Sequence, residues 1–161
     1  MINREDYYSR LYKKARRIIG DHTPLKVDCG QLCKGACCQG DDETGMILFP
    51  HEKTKFSIKT GDGYDLAICD GKCQRSERPL SCMIFPFFPV IDKDGNIEVK
   101  PDLRGKAICP MLSYMDQIQF DRVFLRRVAR VGRILSRDRE CRDLMMQISE
   151  EIRLAESWYG G

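Results

Sequence analysis

The chain has 161 residues, 32% of them charged, with a net charge of +3 and a mean hydropathy of −0.42. That length fits one domain, and so small a charge excess points by itself to neither nucleic acid nor a membrane surface. No run of about 18 apolar residues occurs and the first residues lack a secretory apolar stretch, so a cytoplasmic chain with no membrane span is expected.

Residues 3–19 read as a helix, because Tyr8, Leu11, Tyr12, Ala15, Ile18 and Ile19 recur at spacings of three and four. Gly20 fits a stop and Pro24 prevents resumption. Six Lys/Arg against two acids give this helix a basic outer face. It is read first as a solvated surface and second as a dock for an acidic partner. Cys29, Cys33, Cys37 and Cys38 follow, with Gly30, Gly35 and Gly40 to turn the backbone tightly. Asp41-Asp42-Glu43 forms an acidic loop. Met46-Ile47-Leu48-Phe49 reads as a short buried strand, and Pro50-His51-Glu52-Lys53 as the start of a helix reaching Phe56 or Ile58.

Tyr64–Ile68 reads as a strand running into Cys69-Asp70-Gly71-Lys72-Cys73. The Asp-Gly pair signals a tight turn that would fold both sulfurs towards one point. Proline and aromatic density over 78–89 excludes a long helix, and 87–92 with 97–100 predicts a hairpin around Lys93-Asp94-Gly95-Asn96. From Tyr114 to about Trp158 the chain is mostly helical, with a break near Ser136-Arg137-Asp138. Before the break, Phe120, Phe124, Val128, Val131 and Leu135 define one face and Arg122, Arg126, Arg130, Arg133 and Arg137 the opposite one. After it, Cys141, Leu144, Met145, Ile148, Ile152 and Ala155 form an apolar side.

The expected fold class is α+β: a small, irregular, metal-stabilised cysteine-rich core with short hairpins. It spans 29–110 within a single domain of 1–161, flanked by an N-terminal helix (1–20) and a helical C-terminal segment (111–159).

Nine cysteines, an odd number, sit badly with a disulfide framework. Eight of them, Cys29, Cys33, Cys37, Cys38, Cys69, Cys73, Cys82 and Cys109, are candidate metal ligands. Four thiolates complete a tetrahedral zinc site or hold an iron–sulfur cluster. Zinc is the expected metal, with iron or an iron–sulfur cluster as the alternative. Adjacent side chains diverge, so Cys37 and Cys38 would serve two ions, or one would ligate and the other pack. Cys141, on an apolar helix face, reads as a packing residue. His22 and His51 are at no ligand spacing and are expected at the surface, while Glu52 is a lesser ligand candidate. No nucleophile–base constellation and no phosphate loop stands out. The Arg-faced C-terminal helix is a candidate contact for a protein partner. Nucleic acid is not expected, because no base-stacking aromatics interleave with the arginines.

Cys37-Cys38, Cys69, Cys73, Arg78-Pro79-Leu80-Ser81-Cys82 and Phe85-Pro86-Phe87 together carry a resemblance. The pattern resembles the bacterial and archaeal CxxCxxCC family of zinc- or iron-chelating proteins. In that family a cysteine group ends in Cys-Cys, a Leu-x-Pro-x-Glu-like segment follows (here Leu48-Phe49-Pro50-His51-Glu52), and a late cysteine closes the pattern (here Cys109). The first group is spaced by three residues rather than two, and Met83 stands where the family has Arg. The resemblance implies metal chelation and names no reaction. A similar cysteine pattern in flagellin lysine N-methylases implies an alternative, a metal-dependent redox or methyl-transferring enzyme. A second alternative is an interaction module whose metal is purely structural.

Overall fold

A computed structural model describes residues 2–27, 29–38 and 44–160, with Leu32 and Cys38 described by their backbone alone. Gly40 and the acidic loop Asp41-Asp42-Glu43 lie outside the described residues. The chain adopts the expected mixed α+β fold, with helices and two small antiparallel sheets.

Helix α1 runs Arg4–Ile19. Asn3 caps it by accepting from the Glu5 N–H at 3.1 Å, with acids in the first turn and arginines in the last to complement the helix dipole. It ends at Gly20, whose φ of +57° suits a residue with no Cβ. The side predicted to be apolar is buried: Tyr8, Tyr12, Ala15, Ile18 and Ile19.

The C-terminal segment splits where expected, into α5 (Arg122–Leu135) and α6 (Arg139–Tyr159). Asp121 caps the first by accepting from Val123 N–H at 2.9 Å, and Asp138 caps the second by accepting from Cys141 N–H at 2.9 Å. Both predicted apolar faces are buried, except that Phe120 precedes α5 and is half-buried. Short helices α2 (Gly30–Cys33), α3 (Leu80–Ile84) and α4 (Pro110–Ser113) lie between.

The predicted hairpin forms from β4 (Phe87–Ile91) and β5 (Ile97–Pro101), in register from Phe87 opposite Pro101 to Ile91 opposite Ile97. Asp92 closes its turn by accepting from the N–H groups of Asp94 (2.9 Å) and Asn96 (2.8 Å). All five residues of β4 are buried, because α5 and α6 pack on the hairpin. Helix α5 approaches so closely that a Cβ on Gly132 would lie 2.5 Å from Pro89 Cβ and 2.8 Å from Ile97 Cγ2. The principal apolar core joins α1, α3, α5, α6 and this hairpin through residues such as Phe49, Ile84, Phe88, Val128 and Ile148. The terminal helices therefore supply much of that core, and Cys141 is the one cysteine among the described residues that belongs to it. A second, smaller cluster gathers Cys109, Met111 and Leu112, with Leu25, Cys29 and Phe85 against them.

The other sheet has strand order β1-β3-β2, from β1 (Met46–Ile47), β2 (Ser57–Thr60) and β3 (Asp65–Ile68), all antiparallel. Here the sequence reading needs correction, since no helix grows from Pro50. His51 takes a φ of +59°, which no right-handed helix accommodates. Glu52 turns inward instead of capping a local helix. Its buried carboxylate accepts from the Phe49 N–H at 3.1 Å and the Leu80 N–H at 2.7 Å, and lies 3.7 Å from Arg16 Nη2. Tertiary bonds override the weak local preference, and residues 57–60 become a fully exposed edge strand.

Glu52→Ala would leave two buried N–H groups unpaired. It should lower the unfolding free energy by roughly 2–5 kcal/mol in urea titrations, and an unchanged midpoint would refute the assignment. Gly132→Ala should destabilise by about 1–3 kcal/mol, because overpacking against Pro89 and Ile97 outweighs the better helix propensity of alanine.

Candidate metal centre

Five stretches of chain deliver the candidate ligands. Cys29 precedes α2 and Cys33 ends it, with Cys33 Sγ 3.8 Å from the Cys29 carbonyl oxygen. The backbone then reverses through Lys34 (φ +54°) and Gly35 (φ +67°) into a 3-10 turn, Ala36–Cys38, that carries Cys37 and Cys38. The side chain of Cys38 lies outside the described residues. Buried Cys69 follows the end of β3. The expected Asp-Gly turn comes next: Asp70 Oδ1 accepts from Lys72 N–H at 3.0 Å and Gly71 has a φ of +88°. Cys82 sits mid-way along α3, whose first N–H is the one that Glu52 holds. Cys109 stands at the N-cap position of α4.

Seven of these thiols line two adjoining cavities. The inner one, of about 40 Å³, is walled by Cys37, Cys69, Cys73 and Cys82. The outer one, of about 240 Å³, is walled by Cys29, Cys33, Cys37, Cys73, Cys82 and Cys109. Cys37, Cys73 and Cys82 belong to both walls, as do Arg78 and Phe85. Among the described residues no disulfide joins two cysteines. Nor do three His, Cys, Asp or Glu side chains among them already converge on a single point fit for a metal. The donor set suits zinc or iron–sulfur chemistry, while the sulfurs share walls rather than a finished polyhedron.

Two arginines stand beside the thiols. Arg75 and Arg78 line the outer cavity. Arg75 is held by bonds from Nη2 to the carbonyls of Gly20 (3.1 Å) and His22 (2.9 Å), while its buried Nε has no hydrogen-bond partner among the described residues. The Arg16 guanidinium donates to the Arg78 carbonyl and fixes that segment to α1. Neighbouring guanidinium groups stabilise thiolate over thiol. Burial pushes the Cys109 thiol up from its ordinary value, against the pull of the Met111 and Leu112 N–H groups, and nearby Cys33 adds to the rise. A cation on these sulfurs would replace the protons that burial favours.

The remaining candidates lie elsewhere. Cys141 is fully buried, with Tyr12 Oη 3.5 Å from its sulfur, and burial first of all pushes its thiol up to about 12. It is a packing thiol, as the helical periodicity suggested. His51 is exposed and pairs with Glu140 on α6 at 2.8 Å; His22 is half-buried, and neither lines a thiol cavity. Both carboxylate oxygens of Glu52 are taken by backbone N–H groups, so it serves as a clamp rather than a ligand.

A further cavity of about 240 Å³ shares Cys37 and Cys69 with the inner thiol cavity. Phe85, Phe87, Phe88 and Leu66 give it apolar sides, and a polar group lies in its wall. Arg104 binds Asp102 through Nε to Oδ1 (2.8 Å) and Nη2 to Oδ2 (2.7 Å), and binds Glu151 through Nη1 at 2.6 Å. Tyr64 Oη donates to the same Glu151 oxygen at 3.0 Å. Burial pulls the Arg104 guanidinium down, but these two carboxylates outweigh it and hold it above its ordinary value. No sequence signal marked these residues. Their proximity comes from α6 packing against residues 103–105.

Comparison of the chain with protein-family models, with curated proteins and with solved structures finds no match.

In metal-free native protein Cys141 should stay unmodified by iodoacetamide while thiols of the outer cavity react, with all nine reacting after denaturation. Peptide mass spectrometry reads this directly, and early labelling of Cys141 would contradict its placement.

Proposed function

We propose that this is a cytoplasmic metal-binding protein of the CxxCxxCC type, which chelates zinc, or iron as the ion or an iron–sulfur cluster, through clustered thiolates. One observation carries the reading: seven cysteines from separate stretches between residues 29 and 109 line two cavities that share Cys37, Cys73 and Cys82. Chance burial of small apolar residues would scatter them through the principal core, as happens with Cys141.

Cys37, Cys69, Cys73 and Cys82 would hold a group in the inner cavity. Cys29, Cys33 and Cys109 would add donors from the outer one, with Cys38 next to Cys37 in sequence. The bound metal would supply positive charge and folding free energy, on the order of 10 kcal/mol for structural zinc. Arg75 and Arg78 would balance the excess negative charge of four thiolates. Phe85, on both walls, would keep water from the sulfurs.

A second reading, an enzyme whose metal is catalytic, is favoured by the neighbouring cavity of about 240 Å³ that Cys37 and Cys69 help to wall. An apolar pocket with a few polar groups beside a metal is where a substrate would sit. Metal in a purely structural role would leave that cavity without a use.

Anaerobic purification with elemental analysis and a visible absorption spectrum should find stoichiometric metal. Colourless protein with zinc supports the zinc reading, and brown protein with iron and inorganic sulfide supports the cluster. Protein without either metal, and with no affinity for added zinc or iron, would sink the proposal. Chelation should raise hydrogen exchange in 29–38 and 69–82 while the α1, α5 and α6 core stays protected, because that core contains none of the candidate ligands. Exchange that rises uniformly across the chain would exclude a metal confined to these cavities.

A further inference from the structure

Helices α1 and α5 lie against each other, with the start of α5 beside the end of α1. Arg127 Nη1 donates to the Ile18 carbonyl at 2.6 Å, and the Asp121 N–H donates to the Pro24 carbonyl at 2.8 Å. Both helices turn their apolar sides into the principal core. Their outer sides are exposed and basic. On α1 they carry Arg10, Lys13, Lys14 and Arg17, and on α5 they carry Arg122, Arg126, Arg130 and Arg133, with exposed Arg137 just past its end. None of these nine forms an ion pair with a described carboxylate. Nine exposed cations on or beside two touching helices, in a chain whose total is only +3, leave the rest of the molecule net acidic. Charge is therefore segregated, which the small net value conceals.

We propose that this α1–α5 face binds the phosphate backbone of double-stranded nucleic acid. Seven of the nine cations are arginines, whose planar forks match phosphate oxygens. On α5 they recur every three or four residues, a row of about 17 Å from Arg122 to Arg133. That length covers about five base pairs of duplex, and the cations of α1 stand on the neighbouring helix. The absence of interleaved aromatics, which counted against nucleic acid in the sequence, argues against stacking on single strands. Duplex phosphates require no stacking. A bilayer fits less well. Tyr7 and Val123 are the only large apolar side chains exposed on these two helices among the described residues, too few to seat an amphipathic face in lipid.

The nine residues line neither thiol cavity, so this proposal stands or falls independently of the metal. The test uses full-length protein as purified and fluorescein-labelled DNA and RNA duplexes of about 20 base pairs, followed by anisotropy between 50 and 200 mM salt. Binding is expected, with a log–log salt slope of about −4.5 to −8 for five to nine contacted phosphates. The triple variant Arg126→Glu, Arg130→Glu, Arg133→Glu should bind at least tenfold more weakly with a flatter slope. Lys55→Glu, Lys59→Glu, Lys93→Glu, an equal charge change at exposed cations outside α1 and α5, should bind as wild type does. Circular dichroism checks that both variants fold. No binding at 50 mM salt would overturn the proposal, and so would equal weakening by both triples. Preference for phosphatidylserine vesicles or polyglutamate over the duplexes would overturn it in favour of a membrane or an acidic protein.

Discussion

The buried carboxylate of Glu52 is the constraint on which the arrangement of the thiols depends. It reaches three separate parts of the chain: the Phe49 N–H after β1, the Leu80 N–H that begins α3, and the Arg16 guanidinium on α1. Burial pushes its carboxyl up from the ordinary value, and the two N–H groups and Arg16 oppose that rise. An isolated acid would be expelled from such a place; this one stays because both oxygens are bonded. The result fixes where α3 starts, and hence where Cys82 stands relative to the β1–β3 sheet. Ser81, next in the chain, donates to the Ile47 carbonyl and pins the same junction from the other side.

Two kinds of cohesion therefore share one fold. Around α1, α5, α6 and the β4–β5 hairpin, burial of apolar side chains provides the stabilisation. Around the thiols, the helices are only four or five residues long and are joined by tight turns. Such short elements gain little from backbone hydrogen bonding and need outside anchors. Glu52 is one, the Arg16 bond to the Arg78 carbonyl is another, and the Arg75 bonds to Gly20 and His22 are a third. All three tie the cysteine-bearing loops to α1 or to the turn that follows it.

Much of this was legible in the residues, where local rules suffice. The period of Tyr8, Tyr12, Ala15 and Ile19 marked α1, and Asp-Gly marked both the 69–73 turn and the hairpin. The break at Ser136–Asp138 is where Asp138 begins a new helix. Pro50-His51-Glu52 misled because its acid is drawn to a backbone N–H 28 positions away as well as to that of Phe49, and His51 takes a positive φ. The thiols were legible as a class but not as a geometry. Spacing along the chain does not say that Cys109 joins Cys29 and Cys33 on one wall. Tyr64, Asp102, Arg104 and Glu151 left no pattern at all, because only the packing of α6 assembles them.

The pairing of the first helix with the helices at the far end of the chain has a consequence for biosynthesis. The principal core cannot close until α5 and α6 have emerged from the ribosome, since Phe124, Val128, Val131, Leu135, Leu144, Met145, Ile148 and Ile152 all come from them. By then every cysteine from 29 to 109 has already been made. The nascent chain thus passes through a period in which its thiols are displayed on a polypeptide that has not yet collapsed. Sequence order alone makes oxidation, or capture by whatever ion is at hand, a competitor of folding.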